Sequence, residues 1–386
     1  MMVESGKSTP VVFTGNGTEY FGIWIVNLLL SIITLGIYSA WAKVRRKKYF
    51  YNNTLIDGVG FDYHASPISI LKGRIIAFIL FVIYIGSQSI SPIFSGVLLL
   101  LFFAILPWLV VRTTLFNARN SSHRGLRFDF SGKLGKAYAI ILGLPVVMYA
   151  LIGAIFFLSV IPYIGPEKTP DMTMVRHVVV ALVLAVIIVA ALMPLFFYLL
   201  NKYMVNGHRF GITNFDMRAK LGSFYAVYLK MFLVGIGMAL FVAALAGAAA
   251  AITHYAPSAV SGAMKALIFV GVVLVYGVIL LVPSAYLKAR LGNLIWNTTS
   301  LDHLSFNSTL QARGLIWLYF SNFIFILITF GLFTPWAHVR MIRYRIEHLE
   351  VLGEADLDRF VGDKKAQVSA TGEEIADFFD VDLAFG

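Results

Sequence analysis

Few residues of this sequence could do chemistry, and none of them forms a known catalytic motif. The chain has no cysteine, which excludes disulfides, thiol catalysis and cysteine zinc sites. It holds no HExxH, Walker A or GxSxG motif and no paired catalytic carboxylates. We therefore predict a protein that is not an enzyme and has no cofactor or metal. The histidines of its polar loops match no metal-ligand spacing: His64, His123, His208, His303 and His338.

Positive charge gathers at the ends of apolar segments, after Trp41 and again after Trp336. Such cations can bind anionic lipid headgroups or a phosphate-bearing ligand, at about 1 kcal/mol for each charge. They can equally be an orientation signal that snorkels to the membrane surface. No nucleic-acid-binding motif accompanies the charge. The predicted lipid or anion contacts are Lys43, Arg45, Arg46, Lys47, Lys48, Arg340, Arg343 and Arg345.

The apolar segments themselves contain few polar groups, which argues against proton-coupled transport. The predicted polar lining is Asn27, Thr34, Asn322 and Thr329. These residues could line a cavity, cap broken helices or form interhelical hydrogen bonds. Four prolines are predicted helix kinks, either hinges of a gate or static bends: Pro107, Pro194, Pro283 and Pro335.

The elements that position these residues are membrane helices. The 386 residues are 59% hydrophobic and 13% charged, with a mean hydropathy of +0.80. Stretches of 18 or more apolar residues indicate spanning helices. We predict eight hydrophobic segments, at 21–40, 75–90, 97–111, 137–160, 178–200, 223–252, 265–287 and 315–333.

Charge asymmetry orients these segments. The connections on one side hold 24 Lys and Arg, and those on the other hold 3. The positive-inside rule places the basic side in the cytoplasm. The first and last segments both carry a basic run at their C-terminal end, which conflicts with a simple crossing by the last one. We predict that both chain termini are cytoplasmic.

An internal repeat explains this conflict. FDFSGKLGKAY at 128–138 resembles FDMRAKLGSFY at 215–225, and TLGIYSAWAKVR at 34–45 matches TFGLFTPWAHVR at 329–340. Five units result, each with a polar Phe-containing strand, a membrane excursion and a basic helix end. The middle three excursions are long enough for two crossings. The outer two are too short, so we predict re-entrant segments broken at 34–36 and 329–331, with simple spanning as the alternative.

The loops between the excursions predict small β-hairpins that pair into one cytoplasmic platform. Asp57-Gly58 and Asn206-Gly207 are strong hairpin-turn signals. The predicted fold is an all-α, multi-pass membrane bundle of repeated helical hairpins, with six full spans, two terminal re-entrant or spanning segments and these β-hairpins. Its predicted domains are a transmembrane domain at 1–345 and an acidic cytoplasmic tail at 346–386, where 11 acids face 3 basic residues.

The opening FTGNGTEYFGIWIVNLLLSIITLGIYSAWAKVRRKKYFYNNT and the ending GEEIADFFDVDLAFG resemble the YjgN-like bacterial inner-membrane proteins, a family of unknown function. The resemblance covers nearly the whole chain and implies a multi-pass protein of the bacterial inner membrane. It transfers no activity, substrate or site residue.

Two functions follow as hypotheses from the sequence. The first is a channel-like or transporter-like conduit without intramembrane proton-coupling residues, because repeats and re-entrant ends are typical of pores. The alternative is a non-transporting scaffold that binds anionic lipid or a cytoplasmic partner. The expected partners are membrane lipids with anionic headgroups on the cytoplasmic side. A small-residue stripe, Gly235, Ala239, Ala243 and Gly247, adds either internal helix packing or a homo-oligomer.

Overall fold

The structure is a computed structural model that describes residues 7–164, 171–255, 262–353 and 357–371. Its centre is a closed barrel of ten antiparallel strands in the order β1-β10-β9-β8-β7-β6-β5-β4-β3-β2. The barrel closes where Lys7 of the first strand pairs with Gly353 of the last. The strands are β1 Lys7–Phe13, β2 Thr54–Ile56, β3 Val59–Tyr63, β4 Ser121–His123, β5 Leu126–Phe130, β6 His208–Phe210, β7 Thr213–Met217, β8 Thr299–Leu301, β9 Leu304–Ser308 and β10 Leu349–Gly353.

Helices leave the barrel in pairs and return to it. The five excursions all start and finish at one end of the barrel, which we call the helix end, and tight turns join the strands at the opposite turn end. The helices are α1 Gly17–Ile33, α2 Ser39–Asn52, α3 Pro67–Ile90, α4 Pro92–Arg119, α5 Leu134–Ala137, α6 Leu144–Val160, α7 Met172–Gly207, α8 Leu221–Tyr255, α9 Gly262–Asn297, α10 Ala312–Ile328, α11 Thr334–Glu347 and α12 Leu357–Thr371. A π-helical turn, Tyr138–Gly143, joins α5 to α6.

The predicted all-α bundle is wrong, because the hairpins do more than form a platform: they close into a barrel. Strands of three to five residues carry too short an alternation to reveal their partners from sequence. The five-fold repeat is confirmed, since each unit is a strand, a helical excursion and a returning strand. Closure removes the free edges that an open sheet would expose.

One of the two predicted hairpin turns is confirmed and the other is wrong. Asp57 and Gly58 link β2 to β3 with φ of 51° and 76°, as a two-residue turn of the I′ kind requires. Asn206 and Gly207 end α7 instead, and the chain turns at Gly211 with φ of 57°. The Asn206 side chain accepts a hydrogen bond from the Met217 backbone N–H at 2.9 Å, so it fastens the helix end to β7.

The inside of the barrel is an apolar core. Buried residues from six strands meet in one cluster, and since these strands surround the barrel, their side chains meet within it. Helix α12 adds its own apolar face to the same cluster, so it covers the turn end. The cluster contains Val11, Leu126, Phe210, Leu301, Leu304, Val351, Leu357, Phe360, Val361 and Val368.

Ion pairs fix α12 over the turn end. The Lys364 ammonium lies 2.6 Å from a carboxylate oxygen of Asp302 and is 8% exposed. Arg124, in the β4–β5 turn, pairs with Asp358 of α12 and with Asp57. The first part of the predicted tail range 346–386 therefore lies in β10 and α12, and residues 372–386 lie outside the described part of the chain.

Five of the described helices are long and apolar enough to cross a membrane: Pro67–Ile90, Pro92–Arg119, Leu134–Tyr163, Met172–Gly207 and Leu221–Ala248. Between 0 and 11% of the residues in their most apolar windows are buried. Few of their side chains are therefore fully buried, as expected of apolar groups that face lipid. Helix α9 has 36 residues, of which the middle side chains are not described.

The two terminal excursions are short and broken at the predicted places. Helices α1 and α10 have 17 residues each. Each ends in a turn with positive φ, at Leu35 and Gly36 in one copy and at Phe330 and Gly331 in the other. The chain then returns to the helix end of the barrel, where β1 pairs with β2 and the Asn16 backbone N–H donates to the Tyr49 hydroxyl at 2.7 Å.

Candidate lipid-headgroup site

Helix α2 carries the first basic run along the helix end of the barrel. One face of the helix is fixed by packing, since Ala40 and Val44 are buried against Tyr63 and Ile70. The helix turns by about 100° per residue, so cations that follow Val44 point away from this buried face. Arg45, Arg46 and Lys48 are exposed as a result.

Three cations of α2 and α3 lie close together, and none of them forms an ion pair with a carboxylate of the described ranges. We call Lys43, Arg46 and Arg74 the cationic cluster. Burial lowers the pKa of Lys43, and the neighbouring charges of Arg74 and Arg46 lower it further. The Arg74 guanidinium donates to the Ser39 hydroxyl beside it. Like charges held together repel one another, so the cluster favours an anion that neutralises it.

Lys47 points into the protein and is excluded from the cluster. Its ammonium donates to the Asn117 side-chain oxygen at 2.5 Å and lies 4.5 Å from the centre of the Tyr63 ring. Burial, together with the charges of Lys43 and Arg46, lowers the pKa of Lys47 to about 8. The residue therefore connects α2 to α4 within the fold.

The second basic run, on α11, is mostly used for internal contacts. The Arg340 guanidinium donates to the Asn322 side-chain oxygen at 2.6 Å and to the Ser321 hydroxyl at 3.0 Å. The Arg343 guanidinium donates to the Gly15 carbonyl at 2.7 Å and so ties α11 to the first repeat. Arg345 is exposed.

The predicted polar-lining residues make contacts within their own repeats. Asn27 and Asn322 are both buried, and each accepts a hydrogen bond from the arginine 18 residues later, Arg45 at 3.4 Å and Arg340 at 2.6 Å. This geometry corresponds to the interhelical alternative. The lining of a cavity by these residues stays a prediction.

The two threonines hold the helix breaks. The Thr34 hydroxyl donates to the Leu30 carbonyl at 2.7 Å and accepts from the Tyr38 N–H at 2.9 Å. Thr329 makes the matching pair of bonds, with Phe325 at 2.6 Å and Phe333 at 3.0 Å. A side chain that satisfies groups on both sides of a break stabilises the turn without further partners.

The prolines occupy two kinds of place. Pro107, Pro194 and Pro283 lie inside α4, α7 and α9, which continue through them, and their bends stay predictions. Pro335 lies in the first turn of α11. A backbone N–H in the first turn has no hydrogen-bond partner within the helix, so proline removes no bond there, and Pro335 is not a kink.

Sequence reasoning missed Arg74 as a member of the cluster, because only packing brings α3 beside α2. It also missed the ion pairs of Asp129. Arg119 donates to this buried carboxylate at 2.9 Å, and Arg209 donates to its other oxygen. Burial alone would raise the pKa of Asp129, but the bonds from Arg209 and Arg119 hold it below its usual value.

Comparison with known proteins gives the family but no activity. The chain is 29% identical to the inner membrane protein YjgN of Salmonella typhimurium over 92% of this chain and 91% of that protein. It is 26% identical to the inner membrane protein YjgN of Escherichia coli O157:H7, over 90% of each chain. No solved structure matches it significantly. The model of a family described as bacterial protein of unknown function (DUF898) matches residues 8–378, so this membrane protein belongs to that family.

Proposed function

We propose that this protein is a non-enzymatic scaffold of the bacterial inner membrane that binds anionic phospholipid headgroups around the helix end of its barrel. The observation that carries the proposal is the cationic cluster of Lys43, Arg46 and Arg74. The Arg74 guanidinium of α3 donates to Ser39, one helical turn before Lys43 on α2, so like charges lie together. A phosphate or phosphatidylglycerol headgroup would neutralise this repulsion. Each cation near an anionic surface contributes about 1 kcal/mol.

The position of the cluster fits the membrane surface. Arg74 lies in the second turn of α3, one of the helices long enough to span. Tyr38 and Trp41 stack beside the cluster with ring centres 6.1 Å apart. Tyrosine and tryptophan concentrate at the headgroup level of membrane proteins, where one side of the ring is apolar and the other wet.

The same arrangement supports a cytoplasmic barrel. The basic helix ends lie on the barrel side of the spans, and the positive-inside rule places that side in the cytoplasm. The described chain begins in β1 and finishes in α12, and both Lys7 and α12 lie at the turn end of the barrel. This favours cytoplasmic termini, as the sequence predicts.

The barrel core argues against a conduit along the barrel axis. A conduit along the barrel axis would need a polar, hydrated path. The axis instead contains Phe210, Leu301 and Val351, and α12 packs across its turn end. A hydrophobic interior of this kind carries no hydrated solute.

Lipid preference tests the scaffold. The triple variant Lys43→Gln, Arg46→Gln, Arg74→Gln and the wild type would be titrated with phosphatidylglycerol and phosphatidylcholine in detergent, with bound lipid counted by native mass spectrometry. We expect the wild type to bind more phosphatidylglycerol and the triple variant to lose most of that preference. A control triple variant replaces three exposed cations near the turn end, Arg127, Arg359 and Lys365, and is expected to keep it. An unchanged preference in the cluster variant would refute the proposal.

Flux measurements test the conduit alternative directly. Proteoliposomes loaded with a small anionic or neutral fluorophore are expected to leak it no faster than protein-free liposomes loaded in the same way. Protein-dependent leakage that is lost in Asn27→Leu, Asn322→Leu would establish the conduit and its polar lining instead. Leakage that persists in that double variant would still contradict the scaffold, but it would remove these two residues from the path.

A further inference from the structure

A second feature at the helix end is an apolar groove between α9 and α10. Its volume is about 740 Å³, within the range of pockets that hold organic ligands. Leu281 and Val282 of α9 form one wall, and Ile316, Trp317 and Phe320 of α10 form the other. The side chain of Trp317 is largely uncovered, and the residue is 66% exposed.

Close packing on both sides gives the groove a fixed shape. Ala285 and Ala289 are fully buried against Leu315, so α9 and α10 touch next to the groove and separate along it. Gly314 lines the groove as well, and a Cβ added there would collide with the Tyr344 hydroxyl of α11. Glycine therefore allows α11 to pack closely against α10 beside the groove.

A single cation stands at the barrel side of the groove. Arg313 lines it and is exposed, and it has no hydrogen bond or ion pair with any residue of the described ranges. Helix α10 begins at Ala312, directly after the barrel, and Trp317 and Phe320 follow about 7 and 12 Å further along the helix axis. The groove thus runs from a charged mouth at the barrel to an aromatic and aliphatic channel between α9 and α10.

We propose that this groove binds one anionic phospholipid, with its phosphate on the Arg313 guanidinium and an acyl chain between α9 and α10. Arginine donates two parallel hydrogen bonds to phosphate oxygens and keeps its charge at all relevant pH values. Trp317 lies one helical turn beyond Arg313, so its amphipathic ring would lie beside the glycerol region of the lipid. Charge, aromatic ring and apolar channel follow one another in the order of the parts of a phospholipid.

This inference extends the proposed lipid binding from a diffuse cationic surface to a discrete site, and it rests on that function only in needing a bilayer at the helix end. The two sites are more than one repeat apart in sequence and share no residue. Variants of each can therefore be measured separately.

Native mass spectrometry of the full-length protein, purified in mild detergent and titrated with phosphatidylglycerol, tests the groove. We expect one lipid to be retained more tightly than the rest, and its apparent Kd to rise at least tenfold in Arg313→Gln. Ile316→Trp, which fills the channel and keeps the charge, is expected to weaken the same lipid. Lys230→Gln is the matched control, because Lys230 is an exposed cation nine residues into α8 and does not line the groove.

The outcomes separate the two proposals. If Arg313→Gln retains the tight lipid with unchanged affinity, the groove is not its site, whatever the cationic cluster does. If Arg313→Gln loses it while the cluster variant keeps full phosphatidylglycerol preference, the groove is supported and the proposed function is not. Equal retention of phosphatidylcholine would overturn the anionic preference, and a dimer that dissociates in Ile316→Trp without loss of lipid would assign the groove to a second copy of the chain.

Discussion

The barrel and the apolar helices come from the same five repeats but differ in what surrounds their side chains. In the barrel, Leu126, Phe210 and Leu301 are 4 to 5% exposed and share one core. In the helices, Phe102 of α4 is 55% exposed, and at most 11% of the residues in any candidate span's most apolar window are buried. The buried apolar core therefore lies in the barrel, whereas the helices contact one another in pairs but bury few of their side chains.

This difference assigns distinct roles to the two regions. Burial in the barrel removes apolar surface from water, at roughly 25 cal/mol for each Å². Exposed apolar side chains of a spanning helix face lipid, which is as apolar as they are, so burying them against another helix gains no hydrophobic free energy. We therefore expect the barrel to contribute most of the stability and the apolar helices to hold the protein in the membrane.

The largest test of this comparison replaces a phenylalanine in each region. Phe210→Ala removes a ring from the barrel core, and we expect the free energy of unfolding to fall by about 3 to 5 kcal/mol. Phe102→Ala, at an exposed position of a span, is expected to lower it by less than about 1 kcal/mol. Unfolding by a denaturing detergent, followed by tryptophan fluorescence, measures both. Equal losses would mean that the helices form a packed unit of their own.

A smaller effect concerns pH, and it arises from His123 in the barrel. Burial, with the charge of Arg124, lowers the pKa of His123 to about 4. Between pH 6.5 and 4 the unfolded chain binds this proton and the folded chain does not, so stability is full above pH 6.5 and declines as the pH falls. We expect a loss on the order of 2 kcal/mol by pH 4.5, since one pKa unit corresponds to about 1.4 kcal/mol.

His123→Gln is expected to remove this part of the pH dependence. The melting temperature of each protein is measured from pH 7 to pH 4.5, and the wild type is expected to lose more of it than the variant. Parallel curves for the two proteins would show that His123 titrates in the folded state as it does in the unfolded chain.

The smallest expected effect lies at a helix break. Gly331 has φ of +92°, a conformation that strains any side chain, so Gly331→Ala should destabilise the protein by about 1 to 2 kcal/mol. Gly22, inside α1, has open space where a Cβ would lie, with no heavy atom within 4 Å. Gly22→Ala is therefore expected to be neutral or stabilising by up to about 1 kcal/mol. If thermal unfolding placed Gly331→Ala above the wild type, the α10–α11 turn would not have this geometry.

Local patterns predicted the parts that depend on neighbours in sequence. The apolar runs and the breaks at Gly36 and Gly331 were visible because each lies within fewer than about 20 consecutive residues. The five-fold repeat was visible because short segments such as 128–138 and 215–225 resemble each other. The Asp57-Gly58 turn belongs to the same group. The turn at Gly211 was missed because Asn206-Gly207, a stronger turn signal, ends α7.

The candidate sites were only partly predictable. The sequence identified eight cations, but contacts with distant residues determine which of them can bind an anion. Lys47 donates to Asn117, and Arg343 donates to the Gly15 carbonyl 328 residues away. Arg74 and Arg313 carried no signal of their own. Their environments depend on which helices pack side by side.

The sequence alone therefore determined that this is a membrane protein of repeated excursions with one basic side, because hydrophobicity and charge act residue by residue. Only the tertiary structure decided that ten short strands close into a barrel, that α12 covers its turn end, and which cations remain available for an anion. Strand pairing joins residues as far apart as Lys7 and Gly353, and no local pattern specifies such partners.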